Sequence, residues 1–421
     1  MTVLFSAVYI VYFCWFLNRR FDLFSLTFLT SMVYFLPAVF GFTHDGTLPI
    51  FRNPIGAGQY WFYFFYFTTL FVMAWVFSRT QTAIVLAPAA PADGTLIMRD
   101  LKTLATMTRL LRLAVPVLLG LAWVSMGANL FADEKQAVLD NFSIFYSFYQ
   151  ATTLIYLLSS HLAKKNRDFI FCCSFLVFDM VVGFRAITAF GLICLCTLAL
   201  LQKSSRKRFL LFSMILLTAY VFASIYKTAV QAYRMGTPSE LVSLLEVSTL
   251  LDALMLTESF VQQEVFSAVI ASRLTLPPEY PLELFRAFLP GINNLLLGKG
   301  LGFNDYYQGK LFPHIPWGIG SNVWAEQYAM WNWPGPIMYV IFLFSLLFYL
   351  NKKALKWLST GEILKLSLLV YLAVPFYFYM HRNDLAFQIV TTRNFLVIWL
   401  IVFGLSKYVF LRLRFRDQPL P

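Results

Sequence analysis

The sequence predicts an all-α polytopic membrane protein with about eleven transmembrane helices of roughly 20 residues each and one large outward loop of short helices. The chain is 59% hydrophobic, with a mean hydropathy of +0.67. Only 13% of its residues are charged, where a soluble domain carries roughly 25%. Its 45 Phe, 22 Tyr and 10 Trp suit helices whose ends sit among lipid headgroups, where aromatic rings gather.

The apolar runs fall at 2–18, 22–42, 59–78, 110–131, 141–161, 169–184, 186–202, 209–226, 335–351, 363–380 and 394–411. The first has no basic residue ahead of it and Arg19 and Arg20 behind it, so it reads as a retained span and not as a cleaved signal. Three regions result: 1–226 with the first eight spans, 227–334 as a single long loop, and 335–421 with the last three spans and a tail.

A net charge of +12 raises the question of nucleic acid, and the placement of the charge answers it. With the N-terminus outside, the inner side receives Arg19, Arg20, the stretch 79–112, Lys164, Lys165, Arg167, the run 203–208, the stretch 351–365 and the tail. These hold most of the 33 Lys and Arg, and the turns between them are nearly uncharged. Such alternation is the inside bias of membrane proteins. The expected partner is therefore a lipid bilayer, with no nucleic acid.

Cys14, Cys172, Cys173, Cys194 and Cys196 all lie inside apolar runs with no histidine at a zinc-ligand spacing, so no metal site is expected. The stretch 87–94, rich in Ala and Pro, reads as a linker.

Loops as long as 227–334 are usually functional. Its first half, 238–273, has no internal Pro or Gly, and Leu241, Leu244, Leu245 and Leu251 recur at near-helical spacing. This predicts one or two amphipathic helices lying over the membrane mouth. The second half carries Pro277, Pro278, Pro281, Pro290, Pro313 and Pro316, which predict turns and short helices able to build a concave site.

No Walker loop, dinucleotide fingerprint or HExxH occurs, so no nucleotide cofactor is expected. Arg185 sits where the sixth and seventh spans meet with hardly any loop. It either snorkels to the headgroups or pairs with Asp179, or it is a fixed cation whose planar fork grips a lipid pyrophosphate. Arg234, Arg273 and Arg286 in the loop, with Arg382 and Arg393 in the last outward turn, depart from the inside bias and point to an anionic ligand outside. In the stretch 313–326, His314 could remove the proton from a sugar hydroxyl, as could Glu326 or Asp305. The competing reading makes His314 an interfacial residue beside Trp317, and Asn322 the cap of the helix that carries Glu326.

Four features together resemble the Wzy-type oligosaccharide repeat-unit polymerases. These are the Gly183, Phe184, Arg185 turn, the long outward loop, the run 321–326 before Trp333, Pro334 and Gly335, and Arg382, Asn383 and Asp384. That family is related to the O-antigen ligases and to the peptidoglycan polymerases of the shape and division machinery, in a GT-C-like helical fold. The resemblance is clearest from about residue 170 onward. It implies a bacterial inner-membrane glycosyltransferase working at the periplasmic face. A growing glycan would pass from undecaprenyl pyrophosphate to an incoming lipid-linked repeat unit, without metal or nucleotide sugar. It further implies His314, Glu326 and Arg185 as catalytic candidates. Arg185, Arg273, Arg286, Asn322, Arg382, Asp384 and Arg393 become candidates for holding substrate and pyrophosphate, and a Wzz-type chain-length co-polymerase becomes a partner.

Three readings compete. An O-antigen ligase shares the layout and also pairs a loop histidine with arginines. A secondary transporter would place ionisable groups near the bilayer midplane, where Asp179 is the strongest candidate and no repeat is visible. A non-catalytic scaffold would offer a coiled coil or a large soluble domain, and neither is seen.

Overall fold

The computed structural model describes residues 1–40, 55–85, 94–131, 143–182, 184–202, 205–215, 218, 258–289, 302–313 and 320–416. Every regular element among them is helical. In chain order these are α1 (Thr2–Leu17), α2 (Leu23–Phe40), α3 (Ala57–Val85), α4 (Gly94–Met126), α5 (Ile144–Leu162), α6 (Asn166–Val182) and α7 (Arg185–Gln202). They continue with α8 (Glu258–Ser272), α9 (Tyr280–Ala287), α10 (Phe303–Leu311), α11 (Val323–Trp331), α12 (Pro334–Thr360), α13 (Ile363–Phe378) and α14 (Leu385–Arg416). Single 3-10 turns follow α4 (Gly127–Phe131) and α13 (Tyr379–His381), and a further helical stretch occupies 206–215.

The helices are those of a membrane protein. Among the described residues, four are long and apolar enough to cross a bilayer: Ala57–Thr80, Ile97–Leu130, Pro334–Thr360 and Leu385–Val409. Shorter apolar helices cover Thr2–Leu17, Leu23–Val39, Ala186–Gln202 and Ile363–Val374.

Two boundaries differ from the sequence expectation. The stretch 94–109, expected in an inner loop, is the first half of α4. Asp100 on it accepts the Leu364 backbone N–H at 3.3 Å, so this helix satisfies an orphan donor at the start of α13. At the other end of the chain α14 begins at Leu385, which places Arg393 on a helix and not in an outward turn. Asp384 explains the early start, because its Oδ1 caps the helix by accepting the Phe387 N–H at 2.8 Å.

The core is organised around helices buried on nearly all sides. Residues 151–160 of α5 are all buried, and α5 lies against α4, α6, α7 and α14. Tyr149 Oη donates to the Phe175 carbonyl at 3.1 Å and Tyr371 Oη donates to the Leu154 carbonyl, which spares the tyrosines an unpaired hydroxyl in an apolar core. Asp179, which the sequence reading places within a span, accepts the Tyr146 hydroxyl on Oδ1 at 2.6 Å. Residues 21–31, at the start of α2, are equally enclosed.

The third enclosed helix corrects an expectation. Of the predicted amphipathic segment, 238–257 lies outside the described residues. The remainder, α8, does not float over a mouth: residues 262–269 are all buried, packed on α2 and α11. Gln, Glu and Ser tolerate this because neighbours meet them. Gln263 Oε1 accepts the Tyr63 hydroxyl, and its Nε2 donates to the Tyr34 carbonyl at 3.0 Å. Ser267 Oγ donates to Gln59 Oε1 at 3.0 Å. Satisfied polar groups of this kind fix one orientation of a helix, where apolar ones would allow several. Among the described residues of 274–334 lie three short helices, α9, α10 and α11.

Helix α11 turns into α12 through Asn332 and Trp333 alone, and Gly335 makes the junction possible. A Cβ there would lie 2.1 Å from the Gln327 carbonyl oxygen.

Candidate functional site

Three helices begin around one pair of carboxylates, and a fourth sends a tyrosine hydroxyl to it. Glu326 lies in the first turn of α11, behind its cap Asn322, whose Oδ1 accepts the Ala325 N–H at 2.7 Å. Tyr280, the first residue of α9, donates its hydroxyl to Glu326 Oε1 at 2.6 Å. The N–H of Leu385, the first residue of α14, donates to Glu326 Oε2 at 2.7 Å. Asp384 accepts the Ser321 hydroxyl on Oδ2 at 3.3 Å, and its own N–H donates back to Ser321 Oγ at 3.0 Å. A further bond to Asp384 comes from the N–H of Phe303, the first residue of α10. Helix N-termini carry partial positive charge, so this convergence is a suitable place for acidic groups.

Burial opposes it. Glu326 is 0% exposed and its carboxyl is pushed up to about 8, chiefly by desolvation and then by the neighbouring Asp384 charge; the Tyr280 and Leu385 bonds offset part of this. Burial also raises Asp384. A carboxyl that titrates near neutrality can take up and return a proton under physiological conditions. Each Glu326 oxygen has one described partner, and a carboxylate oxygen can accept two bonds, so the group retains acceptor capacity.

Beside this pair lies a second polar cluster. Trp324 Nε1 donates to His381 Nδ1 at 2.9 Å, so the ring proton is on Nε2, which faces Ser31 Oγ at 3.0 Å. Ser31 passes its own proton to the Thr27 carbonyl and meets the Tyr66 hydroxyl at 2.6 Å. Burial holds His381 down at about 3, so it stays neutral and serves to lock α2, α3, α11 and the end of α13 together.

The candidates from the sequence separate into groups. Glu326, Asn322 and Asp384 come together, and Arg382 stands two residues before Asp384, half-buried, with its carbonyl against Gly320. Asn322 also donates from Nδ2 to the Gln262 carbonyl at 2.8 Å, tying α8 to α11. Arg286 and Arg393 both serve α9. Arg286 pairs with Glu283 at 2.5 Å, and Arg393 Nη1 donates to the Ala287 and Leu289 carbonyls at 2.8 and 2.7 Å. Arg273 is exposed just past α8 and holds the left-handed conformation that ends the helix, with φ 51°. Asp305 accepts the Gly302 N–H at 2.7 Å at the start of α10. The Arg185 backbone opens α7 immediately after α6, as expected, while its side chain lies outside what is described. His314, Trp317 and Arg234 fall outside the described residues.

Sequence reasoning missed Tyr280, Ser321 and His381 as partners in these clusters. Tyr280 precedes Pro281 in a proline-rich stretch with no periodic signal. Ser321 stood inside the run 321–326 and His381 directly before Arg382, yet only their partners across the fold reveal their roles.

Comparison with known protein families, with curated proteins and with solved structures finds no match to this chain.

Proposed function

We propose that this chain is a multi-pass protein of a bacterial inner membrane that polymerises undecaprenyl-pyrophosphate-linked oligosaccharide repeat units. In this reading it has about eleven spans, the segment 227–334 faces the periplasm, and glycosyl transfer takes place there. The reading is supported above all by Glu326, a fully buried carboxyl titrating near neutrality where three helix N-termini, the Tyr280 hydroxyl and Asp384 converge.

In the proposed reaction the acceptor sugar hydroxyl takes the place of the Tyr280 hydroxyl on Glu326. Glu326 removes its proton as the oxygen attacks the anomeric carbon of the donor glycan. The bond from that carbon to the pyrophosphate oxygen breaks, and the lipid pyrophosphate leaves with the electron pair. Arginines can offset the charge that develops on the departing group, a role a metal ion fills elsewhere. The reading gives this role to Arg185, Arg273 and Arg382, which the sequence places on the outer side, while Arg286 and Arg393 hold α9. His314 remains a second candidate for the base.

The test is the glycolipid profile of a strain lacking the gene, complemented with the wild-type chain, Glu326→Gln or Glu326→Asp at equal membrane abundance. Loss of a polymerase leaves lipopolysaccharide capped with single repeat units. Loss of a ligase leaves none and strands polymer on the lipid pyrophosphate. Single units are expected in the deletion strain and with Glu326→Gln, and partial ladders with Glu326→Asp. An unchanged ladder in the deletion strain overturns the proposal.

A further inference from the structure

At the end of the bundle opposite Glu326, the termini of α1 and α7 and the start of the helical stretch 206–215 enclose a cleft of about 520 Å³. Helix α2 sets the separation: Tyr34 reaches the His381 cluster, whereas Asp22 lies beside the cleft residue Arg19, and twelve helical residues span about 18 Å. The cleft is lined by Leu17, Asn18, Arg19, Arg20, Gln202, Ser205 and Arg206. Its chemistry is one-sided, with guanidinium, amide and hydroxyl groups and no carboxylate among the lining residues.

The three arginines differ in their commitments. Arg19 Nη2 bonds Asp22 Oδ2 at 2.5 Å, and its guanidinium lies 4.9 Å from the Trp15 ring centroid and 5.4 Å from that of Phe16. Its side chain is only 8% exposed, and its Nε and Nη1 are buried without a hydrogen-bond partner among the described residues. Asp22 is itself engaged, since its Oδ1 accepts the Ser25 N–H at 3.0 Å. Arg20 and Arg206 are exposed and form no ion pair among the described residues. Asp22 therefore neutralises one of three positive charges, and the remaining two share a cleft with no carboxylate in its lining; Asn18 Nδ2 donates one of its two protons to the Cys14 carbonyl at 2.9 Å.

We propose that this cleft binds a phosphate ester, with Arg20 and Arg206 gripping its oxygens and Asn18, Gln202 and Ser205 completing the donor set. Arginine forks match phosphate oxygens bidentately, and basic pockets between membrane helices are sites for anionic headgroups. The cleft lies at the end of α1, whose Val3, Leu4, Ile10 and Val11 face outward, and Leu17 supplies an apolar wall. A phospholipid whose chains lie along α1 can therefore present its headgroup phosphate to the arginines. The site is independent of the glycan chemistry proposed above.

The purified full-length chain in non-ionic detergent is titrated with phosphatidylglycerol, phosphatidylethanolamine or inorganic phosphate, and adducts are resolved by native mass spectrometry. Arg20→Gln/Arg206→Gln is compared with Lys352→Gln/Lys356→Gln, which removes equal charge from exposed positions of α12. Arg19 is left in place because it is paired with Asp22. Phosphatidylglycerol is expected to bind at least about tenfold more tightly than phosphatidylethanolamine, and the arginine variant to lose about tenfold while the lysine variant keeps wild-type binding. Arginine-dependent binding of inorganic phosphate at equal affinity supports the phosphate site and assigns it to a soluble ester. Equal binding by the two variants in every arm overturns the site.

Discussion

The Tyr280 hydroxyl donates to Glu326 Oε1 at 2.6 Å across 46 residues of sequence, and both groups are buried. This bond joins the proline-rich half of the loop to the helix that leads into α12. It also gives Glu326 one of its two described partners. Tyr280→Phe removes the donor and keeps the ring against Tyr306, 5.4 Å away edge-on. A cost of about 1–3 kcal/mol is expected for the buried carboxyl left with one bond, read as a lowered thermal midpoint in detergent.

The raised carboxyl of Glu326 makes stability depend on pH with a defined sign. Its ordinary value is 4.5, and in the fold it lies at about 8. The folded chain therefore holds the proton more tightly than the unfolded one. The resulting stability is fully present below the ordinary value and is lost as pH rises through about 8. Thermal midpoints should fall between about pH 5 and pH 9, with a limiting slope of about 1.4 kcal/mol per pH unit for one group. Glu326→Gln should flatten the fall without abolishing it, because Asp384 is raised as well. A midpoint that climbs over this window would contradict the assignment.

Arg393 holds the end of α9 through the Ala287 and Leu289 carbonyls. Arg393→Met keeps much of the stem and removes both charge-assisted bonds, which are worth on the order of 2 kcal/mol each. Faster limited proteolysis within 274–289 is expected, with little change elsewhere. Unchanged cleavage there would show that α9 is held by other contacts.

Gly335→Ala places a methyl group 2.1 Å from the Gln327 carbonyl oxygen and 2.9 Å from its carbon. Backbone cannot yield as a flexible side chain does, so a loss of about 1–3 kcal/mol is expected. Gly120→Ala, where no heavy atom lies within 4 Å, serves as the control and should be nearly silent. Denaturation in detergent compares the two.

The proposed orientation predicts which exposed positions meet an impermeant maleimide in spheroplasts. On a cysteine-free background, Lys310→Cys should be labelled and Ser359→Cys should not; both side chains are exposed. Labelling of Ser359→Cys alone would invert the topology.

The sequence by itself determined the helical class, the membrane character and the approximate place of most helices. These follow from local hydropathy, which each stretch carries without reference to any other. The cap at Asn322 was legible for the same reason, because an N-cap bond closes within three residues. Tertiary structure decided the rest. Glu326 meets the start of α14 across 59 residues, and no periodicity encodes a meeting over that distance. Helix α8 looked amphipathic beside its neighbours in sequence, yet Gln59, Tyr63 and the Tyr34 carbonyl satisfy its polar groups and allow it to be buried. Arg393 read as an outward cation for an anionic ligand, and the fold brings two carbonyls at the end of α9 to it. Polar residues in an apolar chain take their roles from whichever donor or acceptor the packing delivers, and that is settled only when distant segments meet.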